Sequence, residues 1–231
     1  MSKVKAIFTE KTFQFLKQLK RNNHLDWMNA NRGRYRAAIV EPFRRLCEEM
    51  APVVLELDPR FDTCGRTGAN FSRINRDIRF AKDKTLYKTQ MYLKFSIPMP
   101  GDRESGQLYS ALSFETVTAG FRIYSGAKRK EGALAMIATP RLHADPRWVA
   151  KQKKRLGRRY ESYWYATEKG QWTKHEGWPE SLDNWKKIQA WIVRRKLPTS
   201  AALSSTFPRE LQKTFRELYP ILKFTSLPDE K

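Results

Sequence analysis

Between Arg73 and Thr89 the chain reads R-I-N-R-D-I-R-F-A-K-D-K-T-L-Y-K-T. Six cations, Arg73, Arg76, Arg79, Lys82, Lys84 and Lys88, share this stretch with two acids, Asp77 and Asp83. An ordinary solvated face mixes long acids with long bases. Here both acids are short aspartates. A short carboxylate can hold an arginine fork through two parallel hydrogen bonds and fix its direction. Oriented guanidinium groups are what recognition of phosphate or carboxylate requires. Phe80, Leu86 and Tyr87 are expected to anchor the segment to the core, and the Tyr87 hydroxyl is a further candidate ligand group.

Three chemistries fit this pattern. In the first, the segment binds an anion, with Arg73, Arg76, Arg79 and Lys82 or Lys84 as donors and Lys88 beside them. Asp77 and Asp83 then orient the cations. In the second, Asp77 or Asp83 is a general base or metal ligand next to those donors, as in a hydrolase or transferase acting on a phosphorylated substrate. In the third, the residues form a structural ion-pair network stitching the sheet to a helix, since such networks perturb charge without function.

The charge of the whole chain bears on the same question. Its 231 residues carry 45 Lys and Arg against 24 Asp and Glu, a net charge of +21. Cations that replace counterions on a phosphate backbone give such a surplus a use in binding nucleic acid. A surface tuned for solubility is the other reading. With 40% hydrophobic and 13% aromatic residues, the chain is too apolar to be disordered.

Several function classes lack support. No run approaches the roughly 20 apolar residues of a membrane-spanning helix. No apolar signal core follows the charged start Met1-Ser2-Lys3-Val4-Lys5, so the expected location is cytoplasmic. Cys47 and Cys64 fit no metal spacing and are expected as reduced thiols. His24, His143 and His175 are isolated, so they read as capping or surface residues and no metal site is expected. No phosphate-binding glycine loop, dinucleotide fingerprint or nucleophile elbow occurs, and no cofactor is expected.

The elements that must position the basic segment can be read from periodicity. Thr9 is placed to cap a first helix, with Phe8 and Phe13 as a hydrophobic staple and Phe15, Leu16 and Leu19 as its apolar stripe. Asn22-Asn23 ends it, and a short helical turn follows around Leu25 to Ala30. Tyr35, Ile39, Phe43, Leu46, Met50, Val53 and Leu57 recur at helical spacing from about Arg32 to Leu57, with a kink or restart expected at Pro42 and at Pro52. Cys64 to Asn70 reads as a loop, and Phe71 to Asn75 as a strand. Met91 to Ile97, Gln107 to Thr116 and Phe121 to Tyr124 read as further strands. Pro98 to Gly106 joins the first two. Asp145-Pro146 opens a basic helix carrying Arg147 to Arg159. Ser181 caps a helix expected to run through Leu182, Trp185, Ile188 and Ile192, and a last helix starts near Pro208. Tyr160, Tyr163, Trp164, Tyr165, Trp172 and Trp178 lie between the basic stretches. They suit either base stacking beside phosphate-binding cations or a packed core under a solvated face.

At these residues the chain resembles the family known as domain of unknown function 2461. The resemblance rests on Asn22-Asn23 with Trp27 downstream, on Pro42, and on Arg73-Ile74-Asn75-Arg76-Asp77-Ile78-Arg79-Phe80. It continues through Lys82-Asp83-Lys84-Thr85 and Tyr87-Lys88-Thr89 to Leu218-Tyr219-Pro220. The family pattern often has proline where this chain has Leu86 and serine where it has Ala81. The resemblance implies a single α+β domain and carries over no catalytic role.

The sequence thus predicts an α+β fold, a mainly antiparallel sheet flanked by helices, forming a single domain over residues 1–231. The expected partner is a nucleic acid or another phosphate-rich ligand, with no membrane contact. The residues expected to bind it are Arg73, Arg76, Asp77, Arg79, Lys82, Asp83, Lys84, Tyr87 and Lys88. The alternative is an enzyme acting on a phosphorylated or carboxylated small molecule at the same segment. A concave pocket there favours the enzyme; an open basic surface favours nucleic acid.

Overall fold

The computed structural model describes residues 5–99, 105–124 and 133–227. The connector expected over 98–106 lies partly outside them. The helical N-terminal part comprises α1 (Glu10–Arg21), α2 (Leu25–Ala30), α3 (Arg32–Tyr35) and α4 (Glu41–Leu57). Then come β1 (Gln90–Ser96), β2 (Gln107–Ser113), β3 (Val117–Tyr124), α5 (Ala133–Ala144) and α6 (Trp148–Leu156). The chain continues with β4 (Glu161–Glu168), β5 (Gln171–Glu176), α7 (Leu182–Lys187), β6 (Ile188–Leu197), α8 (Thr199–Ala202) and α9 (Phe207–Ser226). The architecture is α+β: the strands form one six-stranded antiparallel sheet, ordered β1-β2-β3-β6-β4-β5, with flanking helices. No helix among the described residues is long and apolar enough to cross a membrane.

The chain divides into two compact units. One comprises Met1–Phe95, Ser110–Thr118 and Lys196–Lys213; the other comprises Ser96–Tyr109, Ala119–Arg195 and Thr214–Lys231.

In the first unit, α1 buries Phe13, Phe15, Leu16 and Leu19, and Phe8 before it meets Phe43 and Phe207 edge-on at 5.2 and 6.1 Å. Thr9 occupies the cap position of α1, but its side chain makes no capping bond. Pro42 shapes the entry to α4. It has no N–H to give the carbonyl four residues back, and its ring crowds that carbonyl. The preceding turn, Arg36–Val40, is accordingly π-helical. The carbonyl left without its helical donor belongs to Ala38, and it accepts the Thr12 hydroxyl from α1 at 2.8 Å. The interruption expected at Pro42 is therefore this single wide turn. At Pro52 the helix does not restart, and α4 runs on to Leu57.

The strand expected over Phe71 to Asn75 is instead three isolated bridges, Phe71 with Thr67 and with Leu93, and Asn75 with Tyr87. Asn70 holds the preceding loop against β1. Its amide nitrogen donates to the carbonyls of Asp62 and Lys94 at 2.6 and 3.2 Å, and its amide oxygen accepts the Gly65 N–H at 2.8 Å.

In the second unit, Trp191 on β6 is the centre of an aromatic core. Phe121, Trp178 and Trp185 meet it edge-on at 5.7, 5.6 and 5.1 Å, and its indole N–H donates to Ser162 Oγ at 2.9 Å. The helix expected to run from Ser181 through Ile192 stops at Lys187. Ser181 caps α7 as foreseen, accepting the Asn184 N–H, but Ile188 onward forms β6. Helix α6 starts at Trp148, after Arg147, so Asp145-Pro146 forms the turn before it. Helix α5 has no counterpart among the elements expected from sequence.

Gly120 on β3 marks the tightest backbone approach in this unit. A Cβ there would lie 2.3 Å from the Val193 carbonyl oxygen and 2.7 Å from Arg194 Cα, both main-chain atoms that cannot turn aside. Gly120→Ala should therefore cost about 1–3 kcal/mol, the usual range for overpacking. The check is a lowered urea midpoint with an unchanged slope.

Candidate functional site

The segment from Arg73 to Lys88 is a loop drawn closed at its base. Arg76 N–H donates to the Leu86 carbonyl at 2.9 Å and Lys88 N–H to the Ile74 carbonyl at 2.8 Å. Ile74 and Tyr87 are buried and fix this base to the core of the first unit. A second clamp comes from far along the chain. Asn22 closes α1, and the next residue, Asn23, turns its amide onto the backbone of Tyr87. It donates to the Tyr87 carbonyl and accepts the Tyr87 N–H, both at 2.8 Å. Trp27 of α2 rests on Phe15 of α1, with ring centres 5.5 Å apart. Of the residues on which the family resemblance rests, Asn22-Asn23, Trp27 and the stretch from Arg73 to Thr89 thus build one device: a helix end, a small helix and a clamp on the basic loop. Asn23 was not among the expected site residues, because its partner lies 64 residues away.

Within the loop each aspartate serves a near neighbour. Asp77 takes Arg79 through two bonds, Nε at 3.0 Å and Nη2 at 2.7 Å. That bond from Arg79 draws the Asp77 carboxyl below its ordinary pKa. Asp83 accepts the Thr85 N–H at 2.9 Å and the Thr85 hydroxyl at 3.1 Å, and it pairs with Arg76. The Thr85 N–H is the main cause of its lowered pKa, followed by Arg76. Lys84 Nζ donates to the Ile78 carbonyl at 3.0 Å, across the loop. The pairs run from Asp77 to Arg79 and from Asp83 to Arg76, so they stay inside the loop and do not stitch a sheet to a helix. Asp77 and Arg79 are both well exposed, with side chains 62% and 77% accessible.

Phe80 was expected to anchor this segment and does the opposite. It is 95% exposed at the loop's far end. Burying a phenylalanine contributes roughly 1.5–3 kcal/mol to a fold, and this ring contributes none of it. The Arg79 guanidinium stands 6.0 Å from its centre.

At the base of the loop the balance of charge changes. Lys88 is half-buried, and burial lowers its pKa, with Arg73 and Arg76 adding repulsion. Arg76 has Asp83. Among the described residues, neither Arg73 nor Lys88 has a carboxylate partner. Three cations therefore stand together against one acid.

The second basic region is arranged differently. On α6 and the 3-10 turn Gly157–Arg159, Lys151 pairs with Asp145 at 2.8 Å, Lys153 with Glu180 at 2.5 Å and Arg159 with Glu217 at 2.9 Å. Of the aromatic residues nearby, Tyr160 and Trp164 are buried. The Tyr163 ring is already covered by Lys174 Nζ at 4.4 Å and by the Arg194 guanidinium at 4.9 Å, and Tyr165 leans on Trp172. Arg194 to Lys196 lie on β6, not on a basic helix. Most groups in this region thus have partners within the protein.

Two cavities lined by described residues lie away from the loop. One, of about 420 Å³, is formed by Pro146, Val149, Ala150, Lys153, Lys154 and Glu180. The other, of about 390 Å³, lies between α1 and the turn at Arg34 to Ala38. Of the histidines, His24 caps α2 by accepting the Trp27 N–H, and His175 stacks on Trp164 and meets Glu168. The Cys47 thiol is buried, which pushes its pKa up to about 11.

The model of the conserved hypothetical protein family DUF2461 matches residues 11–224, and the chain belongs to that family. No curated protein matches it.

The contrast between Asn23 and Asp77 is open to direct test. Asn23→Ala strands the Tyr87 N–H and carbonyl in a partly buried setting and should cost about 1–3 kcal/mol, read as a lower melting temperature. Asp77→Asn leaves an exposed arginine in water and should leave the melting temperature unchanged. Equal effects from both would contradict this division of roles.

Proposed function

We propose that the protein binds a phosphate-bearing polyanion through the base of the Arg73–Lys88 loop, with nucleic acid as the foremost candidate. The observation that carries this reading is the cluster of Arg73, Arg76 and Lys88 with a single carboxylate among them. A cluster that raises its own electrostatic energy is best relieved by an incoming anion. Arg76, held by Asp83 and by the Thr85 hydroxyl at 2.6 Å, presents a directed fork. Arg79, fixed by Asp77, supplies a second directed fork nearer the tip. Lys82 and Lys84 add charge along the exposed edge. The loop's exposure suits an extended ligand, and the chain's net charge of +21 suits a polymeric one. Asp77 and Asp83, with lowered pKa values and engaged oxygens, are poor proton acceptors at neutral pH, so their part is orientation.

The expected behaviour is binding of labelled oligonucleotides whose affinity falls steeply and log-linearly with salt. Replacing Arg73 or Lys88 by Gln should weaken binding and reduce the slope by roughly 0.7–0.9 for each phosphate that is no longer neutralised. Replacing Lys154 and Arg158, on the other basic region, should leave it unchanged. Absence of binding at low salt, or a slope that responds only to Lys154 and Arg158, would refute the assignment.

A second measurement follows from Lys88. Its folded pKa is below the unfolded value, so between the two the unfolded chain holds a proton that the folded one lacks. Stability therefore gains as pH rises through that window, and the penalty is fully present below it. A bound phosphate restores the charged form, so binding at alkaline pH should take up protons. Calorimetry in two buffers of different ionisation heat should show the uptake in the native protein and lose it in Lys88→Gln.

A further inference from the structure

We infer that Phe80 is a stacking platform and that the partner of the loop is a nucleic acid with unpaired bases. This rests on the phosphate-binding reading above and goes further by naming what lies between the phosphates.

Among the described residues Phe80 is the most exposed of the large hydrophobic ones, ahead of Leu25 at 52% and Trp172 at 50%. It stands at the end of a loop that is otherwise tied down, by main-chain bonds at the base, by the Asn23 amide, and by Lys84 on the Ile78 carbonyl. Asp77 fixes Arg79 beside the ring, and at 6.0 Å the guanidinium leaves a ring face open. The arrangement is one flat apolar surface with cations on both sides of it in sequence: Arg76 and Arg79 before, Lys82 and Lys84 after. A nucleotide has the complementary form, a flat base attached to a phosphate. Bases stack on aromatic rings without regard to sequence while cations follow the backbone. In a duplex the base faces are already stacked on one another, so an open ring selects unpaired bases.

A bilayer is the other surface an exposed phenylalanine can enter. It fits less well. One ring is little apolar area for a lasting membrane contact. Ile78, two residues before it, is half-buried and adds little to that area.

The test uses the full chain with three probes: an oligothymidylate, an abasic strand of equal length with the same phosphates but no bases, and phosphatidylserine–phosphatidylcholine vesicles. The native protein should prefer the oligothymidylate to the abasic strand. Phe80→Ala should fold with the native melting temperature, keep its affinity for the abasic strand, and lose oligothymidylate affinity by roughly 5- to 150-fold, the range set by one base stacked on an aromatic ring. Phe80→Trp should restore the preference. Three results would overturn the inference: no preference for bases in the native protein, a preference that survives Phe80→Ala, or vesicle binding that depends on Phe80 while strand binding does not. Failure of the phosphate reading is distinct from these, because neither strand would then bind at low salt.

Discussion

The carboxamide of Asn23 is the contact on which the basic loop depends. A loop carrying six cations and two acids repels itself, and it has few apolar side chains to bury. Its geometry must be imposed from outside. Asn23 does this with a carboxamide, whose NH2 donates to a carbonyl while its oxygen accepts from the N–H of the same residue. The contact also makes the loop an extension of α1. The path runs from Phe15 and Leu19, packed in the core, through the helix end at Asn22, to the backbone of Tyr87. Within the first unit, the rigidity of a helix is thereby passed to a segment that has no regular structure of its own.

Charge is then arranged in two tiers. Aspartates hold arginines at separations of two and seven residues in sequence: Asp77 with Arg79, both well exposed toward the tip, and Asp83 with the half-buried Arg76 nearer the base. Such exposed pairs contribute little to stability. Their effect is directional, because an arginine fork held by a short carboxylate points one way. At the base, the partly buried Lys88 sits with Arg73 and Arg76 and lacks a carboxylate of its own among the described residues. A fold selected only for stability has no use for that arrangement, since one acid at the position of Arg73 would relieve it. The same holds for Phe80, whose ring would stabilise the chain anywhere but in water.

Much of the architecture was legible in the sequence because it follows from local chemistry. The stripe Phe13, Phe15, Leu16 and Leu19, the short helix at Leu25, the strands near Met91 and Gln107 and the cap at Ser181 all lie where the residues put them. The failures share a cause, which is that burial on all sides erases period. Ile188 to Val193 reads Ile-Gln-Ala-Trp-Ile-Val, and both faces of β6 are largely buried between β3 and β4. A continuous apolar run of that length fits a helix as well as a strand, and the helix-forming start at Ser181 decided wrongly for what followed. Helix α5 carries no clear polar stripe and holds Pro140, so nothing marked it. Phe80 was misplaced by a sound general rule, that large apolar residues are buried, at a position where the rule gives way. Asn23 belongs to the Asn22-Asn23 pair of the family motif, but a clamp spanning 64 residues leaves no periodic trace.

The two basic regions show why net charge alone does not locate a site. Both are rich in Lys and Arg, and by composition the stretch from Arg147 to Arg159 is the stronger candidate. In three dimensions several of its charges are answered: Lys151 by Asp145, Lys153 by Glu180, Arg159 by Glu217, and Arg155 by Gln152 and the Glu217 carbonyl. Tyr163, half-buried, already carries two cations. What a ligand can use is charge and surface that the protein has not already spent on itself. By that measure the smaller loop is the better site. Its base keeps Arg73 and Lys88 without a carboxylate partner among the described residues, its arms are aimed by short carboxylates, and its tip leaves a ring in water. Residue types set the possible chemistry of each region, and the partners each residue finds inside the fold decide which chemistry remains available to a ligand.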